Sequence, residues 1–318
     1  MRRIDLHVHT TASDGTFTPA QVVELARDAG LSAIAITDHD TVSGYAEAAK
    51  RGAELGVEIV PGIEISTKYG GAVHVLGYYI DMESDGLHHI LDWIVEDRGT
   101  RGRKMAELMA ADGLPVNYDE MKARFGEVIG RPHFARLLVE LGLAMDVQDA
   151  FDRYVEKGQK YYVGRTILPI ERAIGLIIKA GGVPVLAHPF QYKRDDAGLR
   201  ELIEYCIAQG LRGMECYYTG YSPEQCAYLA ALADEYGLIK TGGSDFHGAN
   251  KKHILLGRGL GKLEDGYRVE LGGSYTAPSG DNVFVTAAAN LTLDGISIES
   301  NLIEGERLSI RWETLLRL

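Results

Sequence analysis

Apolar positions over the first 80 residues fall in short β-branched runs separated by stretches of helical spacing, which predicts βα units and a mainly parallel sheet or barrel. Each unit carries its own punctuation. Thr18-Pro19-Ala20-Gln21 supplies an N-cap, a proline at the first helical position and a glutamine three residues on, and Gly30 closes that helix. Ala33-Ile34-Ala35-Ile36-Thr37 predicts a buried strand, Tyr45 to Leu55 a helix ended by Gly56, and Val57 to Val60 a third strand. Apolar runs around Ile63-Glu64-Ile65 and from Val73 to Ile80 complete the first half.

From about Gly86 to Arg165 the rhythm changes to consecutive helical segments without a convincing strand, broken at Asp112-Gly113-Leu114-Pro115 and Gly130-Arg131-Pro132. This pattern predicts a helical lid subdomain, 86–165, inserted into a barrel made of 1–85 and 166–261. The βα rhythm returns with a helix at Ile170 to Ala180, a strand at Val183 to Ala187, a helix at Leu199 to Gln209 and a strand at Arg212 to Cys216. Ser222-Pro223-Glu224-Gln225 then repeats the helix-start signal, and Leu238 to Thr241 reads as the last barrel strand. Beyond Lys262 the text is alternating and rich in Gly, Asn and Asp. Short antiparallel strands are expected at Tyr267 to Leu271, Val283 to Thr286, Leu291-Thr292-Leu293 and Leu308 to Trp312, so 262–318 reads as a β-rich C-terminal tail.

Composition narrows the partners. A net charge of -12 over 318 residues opposes a general nucleic-acid coat, binding of extended duplex, or an anionic-membrane binder, so a phosphate-bearing partner needs a local positive site. Cys206, Cys216 and Cys226 form no CxxC pair and read as buried apolar residues in a reducing cytosol. Met1-Arg2-Arg3 passes straight into Ile4-Asp5-Leu6, and no uncharged stretch approaches the ~18 residues of a membrane span. The expected location is the cytoplasm.

The chemistry begins at His7-Val8-His9, because residues two apart on a strand share a face and both imidazoles can reach one metal. Asp14 follows on the loop leaving that strand. Later strand ends add Thr37-Asp38-His39-Asp40, Gly62-Ile63-Glu64, His74, Ala187-His188-Pro189 and Ser244-Asp245-Phe246-His247. Any one of these histidines alone is better read as a hydrogen-bonded core residue. Six of them at strand ends, in a barrel whose strand C-termini meet at one face, argue for a cluster. His88 and His89 open a helix and read as solvated, and His253 sits in a basic loop. His133 is either a helix-start residue or one that overhangs the site.

In this order the motifs resemble the PHP superfamily, the polymerase-and-histidinol-phosphatase metal phosphoesterases, over roughly residues 2–260. The insertion with Gly130-Arg131-Pro132-His133 and Tyr162-Val163-Gly164-Arg165 is similar to the stand-alone subgroup of nucleoside 3′,5′-bisphosphate phosphatases and 5′→3′ exoribonucleases. The resemblance implies an α/β fold, a distorted (β/α)7 barrel, and up to three divalent ions. His7, His9, Glu64 and Asp245 would hold the first ion; Glu64, His74 and His188 the second; Asp14, His39 and His247 the third. The tail after Lys262 departs from the family pattern.

Mixed imidazole and carboxylate ligation suits Mn²⁺, Fe²⁺ or Zn²⁺, with Mn²⁺ favoured. Clustered ions lower the pKa of bound water and stabilise attacking and leaving oxygens, so the expected reaction is hydrolysis of a phosphate ester by a metal-activated hydroxide. The expected substrate is small and phosphorylated, a nucleoside 3′,5′-bisphosphate or a short RNA 5′ end. Histidinol phosphatase is the alternative enzyme, and a non-catalytic PHP module is opposed by the complete ligand set. Arg131 and Arg165, with Arg101 and Arg103 as weaker candidates, are the residues to grip a second phosphate; surface salt-bridging on a helical lid is an equal reading for Arg131 and the better one for Arg101 and Arg103. Asp40 is either a carboxylate that orients an imidazole or an acid at a helix N-terminus. Tyr161-Tyr162 and Tyr217-Tyr218 offer rings for base stacking or simply core packing.

Overall fold

The computed structural model describes residues 3–126, 128–164 and 166–260, together with the backbone of 270–276 and 282–288. In chain order β1 (Arg3–Val8) leads to α1 (Pro19–Asp28), β2 (Leu31–Ile36) to α2 (Tyr45–Leu55), and β3 (Glu58–Lys68) to β4 (Ala72–Tyr78). Consecutive helices follow: α3 (Asp85–Ala111), α4 (Tyr118–Phe125), α5 (Arg131–Glu140) and α6 (Val147–Ala150), the last running into a π-turn at Phe151–Val155. Then come β5 (Leu168–Pro169), α7 (Ile170–Lys179), β6 (Val183–Leu186), α8 (Asp196–Ala208), β7 (Gly213–Tyr218), α9 (Pro223–Glu235) and β8 (Ile239–Gly243). The capping boxes read at Thr18 and Ser222 are both formed, each with its Gln three residues on.

The main sheet runs β1-β2-β3-β4-β6-β7-β8, and β5 pairs with the end of β3. It nearly closes. A parallel bridge joins Val8 to Phe246, and His9 N–H donates to the Phe246 carbonyl at 3.0 Å, so the chain after β8 returns to β1. Two details differ from the expectation. The runs at Val57 to Val60 and Ile63 to Ile65 are one strand, β3, and β4 is antiparallel to both β3 and β6. The reason is local. Gly70, with φ +63°, lets the chain reverse between Lys68 and Ala72, so β4 returns directly beside β3 with no crossover helix.

Leu6, Ile63, Ile65, Val75, Leu186 and Met214 are among the residues filling the barrel core. A second core surrounds Met105, Met109, Phe134 and Leu138 in the helical segment. Helix α3 belongs to both: its first turns bury Leu87, Leu91 and Ile94 against the barrel, and its later turns bury Met105 and Met109 in the second core. The three cysteines are free and buried. Among the described residues no helix is long and apolar enough to cross a membrane. In the tail β9 (Glu270–Thr276) and β10 (Asn282–Ala288) pair antiparallel, the second containing the expected run at Val283 to Thr286. The runs expected at Leu291 to Leu293 and Leu308 to Trp312 lie outside the described residues, as does most of Tyr267 to Leu271.

Candidate metal centre

Alternation along β3 buries Ile63 and Ile65 in the barrel core and leaves Glu64 and Ser66 on the other face. His39, past the end of β2, lies beside Glu64 in an isolated parallel bridge. At the other side of the barrel β8 approaches β1 so closely that a Cβ on Gly243 would stand 2.4 Å from that of His7, which requires glycine there. Three non-glycine residues at these strand ends adopt positive φ: Asp40 at 57°, His188 at 25° and Asp245 at 53°. Such backbone strain persists only where surrounding contacts hold it, and it gathers at functional sites.

All nine predicted donors converge. Glu64 Oε1 lies 2.8 Å from His188 Nε2 and 2.9 Å from His74 Nδ1, while its Oε2 lies 3.0 Å from His39 Nδ1, 3.2 Å from His9 Nε2 and 3.3 Å from His7 Nε2. Asp245 Oδ1 stands 3.5, 3.3 and 3.3 Å from His7 Nε2, His9 Nε2 and His247 Nδ1, and Asp14 Oδ1 stands 3.3 Å from His247 Nε2. Burial opposes charge on Asp14, Glu64 and Asp245, yet the surrounding imidazoles, with Lys251 beside Asp245, hold all three well below the usual carboxylate range. Burial alone would also depress His7 and His9, but their carboxylate neighbours outweigh it and raise both, His9 to about 9.

This donor set fits divalent cations. His7 Nε2 and His9 Nε2 face each other at 3.1 Å, and His9 Nδ1 is buried without a hydrogen-bond partner among the described residues. Four groups of donors each lie close enough to share one ion: His9, Asp14, His39 and His247; His7, His9 and Asp245; His7, Glu64 and His188; His39, Glu64 and His74. The grouping departs from the one implied by resemblance. His9 joins the Asp14 set as well as His7, and His74 and His188 meet different partners across the same Glu64 oxygen.

Residues 5–239 match the family model described as the PHP domain. The chain belongs to the PHP family. Among curated relatives it is 35% identical to the 5′-3′ exoribonuclease of Haemophilus influenzae over 77% of this chain and 90% of that protein. It is likewise 35% identical to the 3′,5′-nucleoside bisphosphate phosphatase of Chromobacterium violaceum over 83% of this chain and 93% of that one. A solved structure from Bifidobacterium adolescentis, a proposed metal-dependent phosphoesterase, superposes with a TM-score of 0.72 at 35% identity, covering 79% of this chain and 90% of its own. This PHP protein is a metal-dependent phosphoesterase, a hydrolase acting on phosphate esters.

Beside the donors a cleft of about 190 Å³ is lined by Asp14, His39 and His74 at one end and by Arg98, Arg101, Arg131, Phe151 and Tyr162 on the walls contributed by the helical segment. Arg131 lines the cleft and pairs with Glu156 at 2.8 Å. Arg101 corrects the expectation of a surface salt bridge: it is buried on the inner side of α3 and faces the cleft, although Arg103, two residues on, is exposed beside Tyr118. Arg165 lies outside the described residues. His133 is buried at the start of α5, where its Nδ1 accepts from Gly130 N–H at 2.9 Å.

Asp40 is not a helix N-terminal acid, since α2 begins only at Tyr45. Its Oδ1 accepts from Ser66 N–H at 2.7 Å and its Oδ2 pairs with Arg98. Tyr217 and Tyr218 are buried in the barrel core and present no open ring; Tyr218 donates to Asp245 Oδ2 at 2.7 Å. Tyr161 is buried and donates to Asp112 at 2.6 Å, which leaves Tyr162 as the ring on the cleft. His88, His89 and His253 are exposed, away from the cluster.

Four contacts were not anticipated: Glu215 on His7, Arg98 on Asp40, and Tyr218 and Lys251 on Asp245. For Glu215 a signal existed. A single acid inside the apolar strand Gly213-Met214-Glu215-Cys216 has to meet a partner in the interior.

Proposed function

We propose that this phosphoesterase hydrolyses nucleoside 3′,5′-bisphosphates and phosphorylated 5′ ends of short RNA, with up to three divalent ions, Mn²⁺ favoured, held by His7, His9, Asp14, His39, Glu64, His74, His188, Asp245 and His247. The observation that carries this reading is the cleft, which joins the donor cluster to a wall of arginines and one accessible tyrosine ring within a small volume. A substrate with two anionic groups and a base can place its reacting phosphate at the donors and its second phosphate against arginine, whose planar guanidinium matches phosphate oxygens. The relative from Chromobacterium violaceum is named for nucleoside 3′,5′-bisphosphates and that from Haemophilus influenzae for RNA cleaved from the 5′ end, which supports this reading.

Divalent ions at this donor set would supply Lewis-acid polarisation of the phosphoryl oxygens and a nucleophile derived from water at neutral pH. The chain supplies orientation. His7 and His9 are sealed from solvent, whereas the His39 and His74 side chains keep 17% and 28% of their exposure, so the substrate enters from their side. Glu64 offers its oxygens to separate sets of imidazoles, the arrangement required of a carboxylate that bridges two ions. Arg131, and Arg165 in the expectation from sequence, would hold the non-reacting phosphate while Tyr162 borders the base. Asp40 would orient the entry side through Ser66 and Arg98, and His133 would close its rim.

Phosphate release should be measured with Mn²⁺ on adenosine 3′,5′-bisphosphate, 5′-phosphorylated trinucleotide RNA and histidinol phosphate. The first two are expected to react far faster. Preference for histidinol phosphate would overturn the proposal.

A further inference from the structure

Glu215 lies at the middle of β7 with no exposure, on a strand whose neighbouring residues Met214 and Cys216 pack into the apolar core. A carboxylate in that place must be fully engaged by donors, because an unpaired buried charge costs several kcal/mol. It engages two. Oε1 stands 2.9 Å from His7 Nδ1, and Oε2 accepts the backbone N–H of His188 at 2.7 Å. The two partners come from opposite sides of β7: His7 from β1 beyond β8, and His188 from the turn after β6.

The chemistry of the contact decides what it does. An ionised carboxylate only accepts, so the proton on His7 resides at Nδ1 and the lone pair of a neutral ring is left on Nε2. That nitrogen faces His9 Nε2, Glu64 Oε2 and Asp245 Oδ1, the centre of the donor cluster. The second oxygen works on the backbone. His188 has φ of 25°, a conformation that ordinary residues avoid, and the bond to its N–H helps hold the turn that directs His188 Nε2 to Glu64 Oε1 at 2.8 Å.

We infer that Glu215 is a positioning residue that fixes two metal donors at once, His7 through its tautomer and His188 through its backbone. The inference rests on the reading of His7 and His188 as ligands. A glutamine in its place keeps one acceptor oxygen and presents an NH₂ to the other partner, so either the His188 N–H loses its acceptor or His7 must accept at Nδ1 and carry its proton on Nε2. Partners that orient metal-bound histidines in this way are worth 10–100-fold in metal affinity.

Zn²⁺, which is diamagnetic, is a suitable probe. In ¹⁵N-histidine-labelled wild-type protein loaded with Zn²⁺, His7 should show a protonated Nδ1 and a Zn-shifted Nε2. Glu215→Gln should bind Zn²⁺ about 10–100-fold more weakly by calorimetry while its far-UV spectrum stays native. Equal Zn²⁺ affinity in the two proteins, or Nδ1 as the metal-bound nitrogen in wild type, would overturn the inference. Should Glu215→Gln fail to fold, the wild-type spectrum alone decides. His7→Ala separates the two readings: if that variant binds as many Zn²⁺ ions as wild type, the ligand assignment fails and the inference falls with it, whereas a lost ion in His7→Ala together with unchanged affinity in Glu215→Gln overturns the role of Glu215 alone.

Discussion

Arg98, near the middle of α3, pairs with Asp40 in the loop that follows β2, its Nε donating to Asp40 Oδ2 at 2.9 Å and its Nη2 to Ser66 Oγ at 3.1 Å. Both members are buried. The pair therefore ties the helical segment to the two strands that carry His39 and Glu64, and it does so directly under the cleft. Asp40 also fastens those strands to each other, through Ser66 N–H and through its own N–H to the Glu64 carbonyl at 3.0 Å.

Arg98→Ala should consequently destabilise the protein by about 3–5 kcal/mol, the cost of stranding one member of a buried pair. Urea unfolding measures it. The double substitution Arg98→Met with Asp40→Asn removes the stranded charge and should recover much of that loss. A double variant as unstable as Arg98→Ala would show that packing around α3, not the ion pair, carries the effect.

Glu64→Gln should lower the number of bound transition-metal ions and abolish turnover, because a neutral amide cannot bridge two cations. Elemental analysis after loading with Mn²⁺ gives the stoichiometry, and phosphate release gives the rate. Full metal content with retained turnover would remove the bridging role from Glu64.

The nine candidate donors were legible because each belongs to a short motif within or just beyond an apolar run, and apolar runs are what the βα rhythm locates best. The contacts that hold those donors were less legible. Arg98 and Asp40 are 58 residues apart and Glu215 and His7 are 208 apart, and although the lone acid in its apolar strand calls for an interior partner, nothing local names which one. Arg101 was misread for a similar reason. Two arginines spaced by one glycine on a helix look like a solvated face, but the spacing between Arg98 and Arg101 puts those two on one side, toward the barrel. The antiparallel β4 was hidden by the apolar content of both its neighbours, which resembles that of parallel strands. Tyr218 and Lys251 reach Asp245 through tertiary packing alone.

Metal binding should release protons. The carboxylates around His7 and His9 outweigh the effect of burial and raise both, His9 from 6.5 to about 9, so at pH 7 the metal-free rings carry protons that a ligated imidazole cannot keep. Calorimetry in two buffers of different ionisation enthalpy should show net proton release, with affinity weakening as pH falls from 9 to 6. The sign for the metal-free protein is the reverse. A raised His9 contributes stability fully below pH 6.5 and loses it as pH climbs toward 9, so its unfolding midpoint should drop across that window. Buffer-independent heats of metal binding would contradict this account.

Arg131 offers the sharpest separation of substrate grip from structure. Its partner Glu156 is half-exposed, and such a pair contributes at most about 1 kcal/mol, so Arg131→Ala should leave thermal stability nearly unchanged. Its guanidinium also lies 5.4 Å from the Phe151 ring and 5.9 Å from that of Tyr162, a placement that keeps it on the cleft wall when Glu156 is exchanged for phosphate. Losing one charge-assisted contact of ~1.5–3 kcal/mol corresponds to roughly one to two decades in kcat/KM for adenosine 3′,5′-bisphosphate. A substrate carrying only the reacting phosphate should lose much less, and Arg131→Lys should recover only part, because an ammonium lacks the planar fork. Equal losses for the two substrates would place Arg131 at the reacting phosphate. No loss for either would leave it as the partner of Glu156 alone.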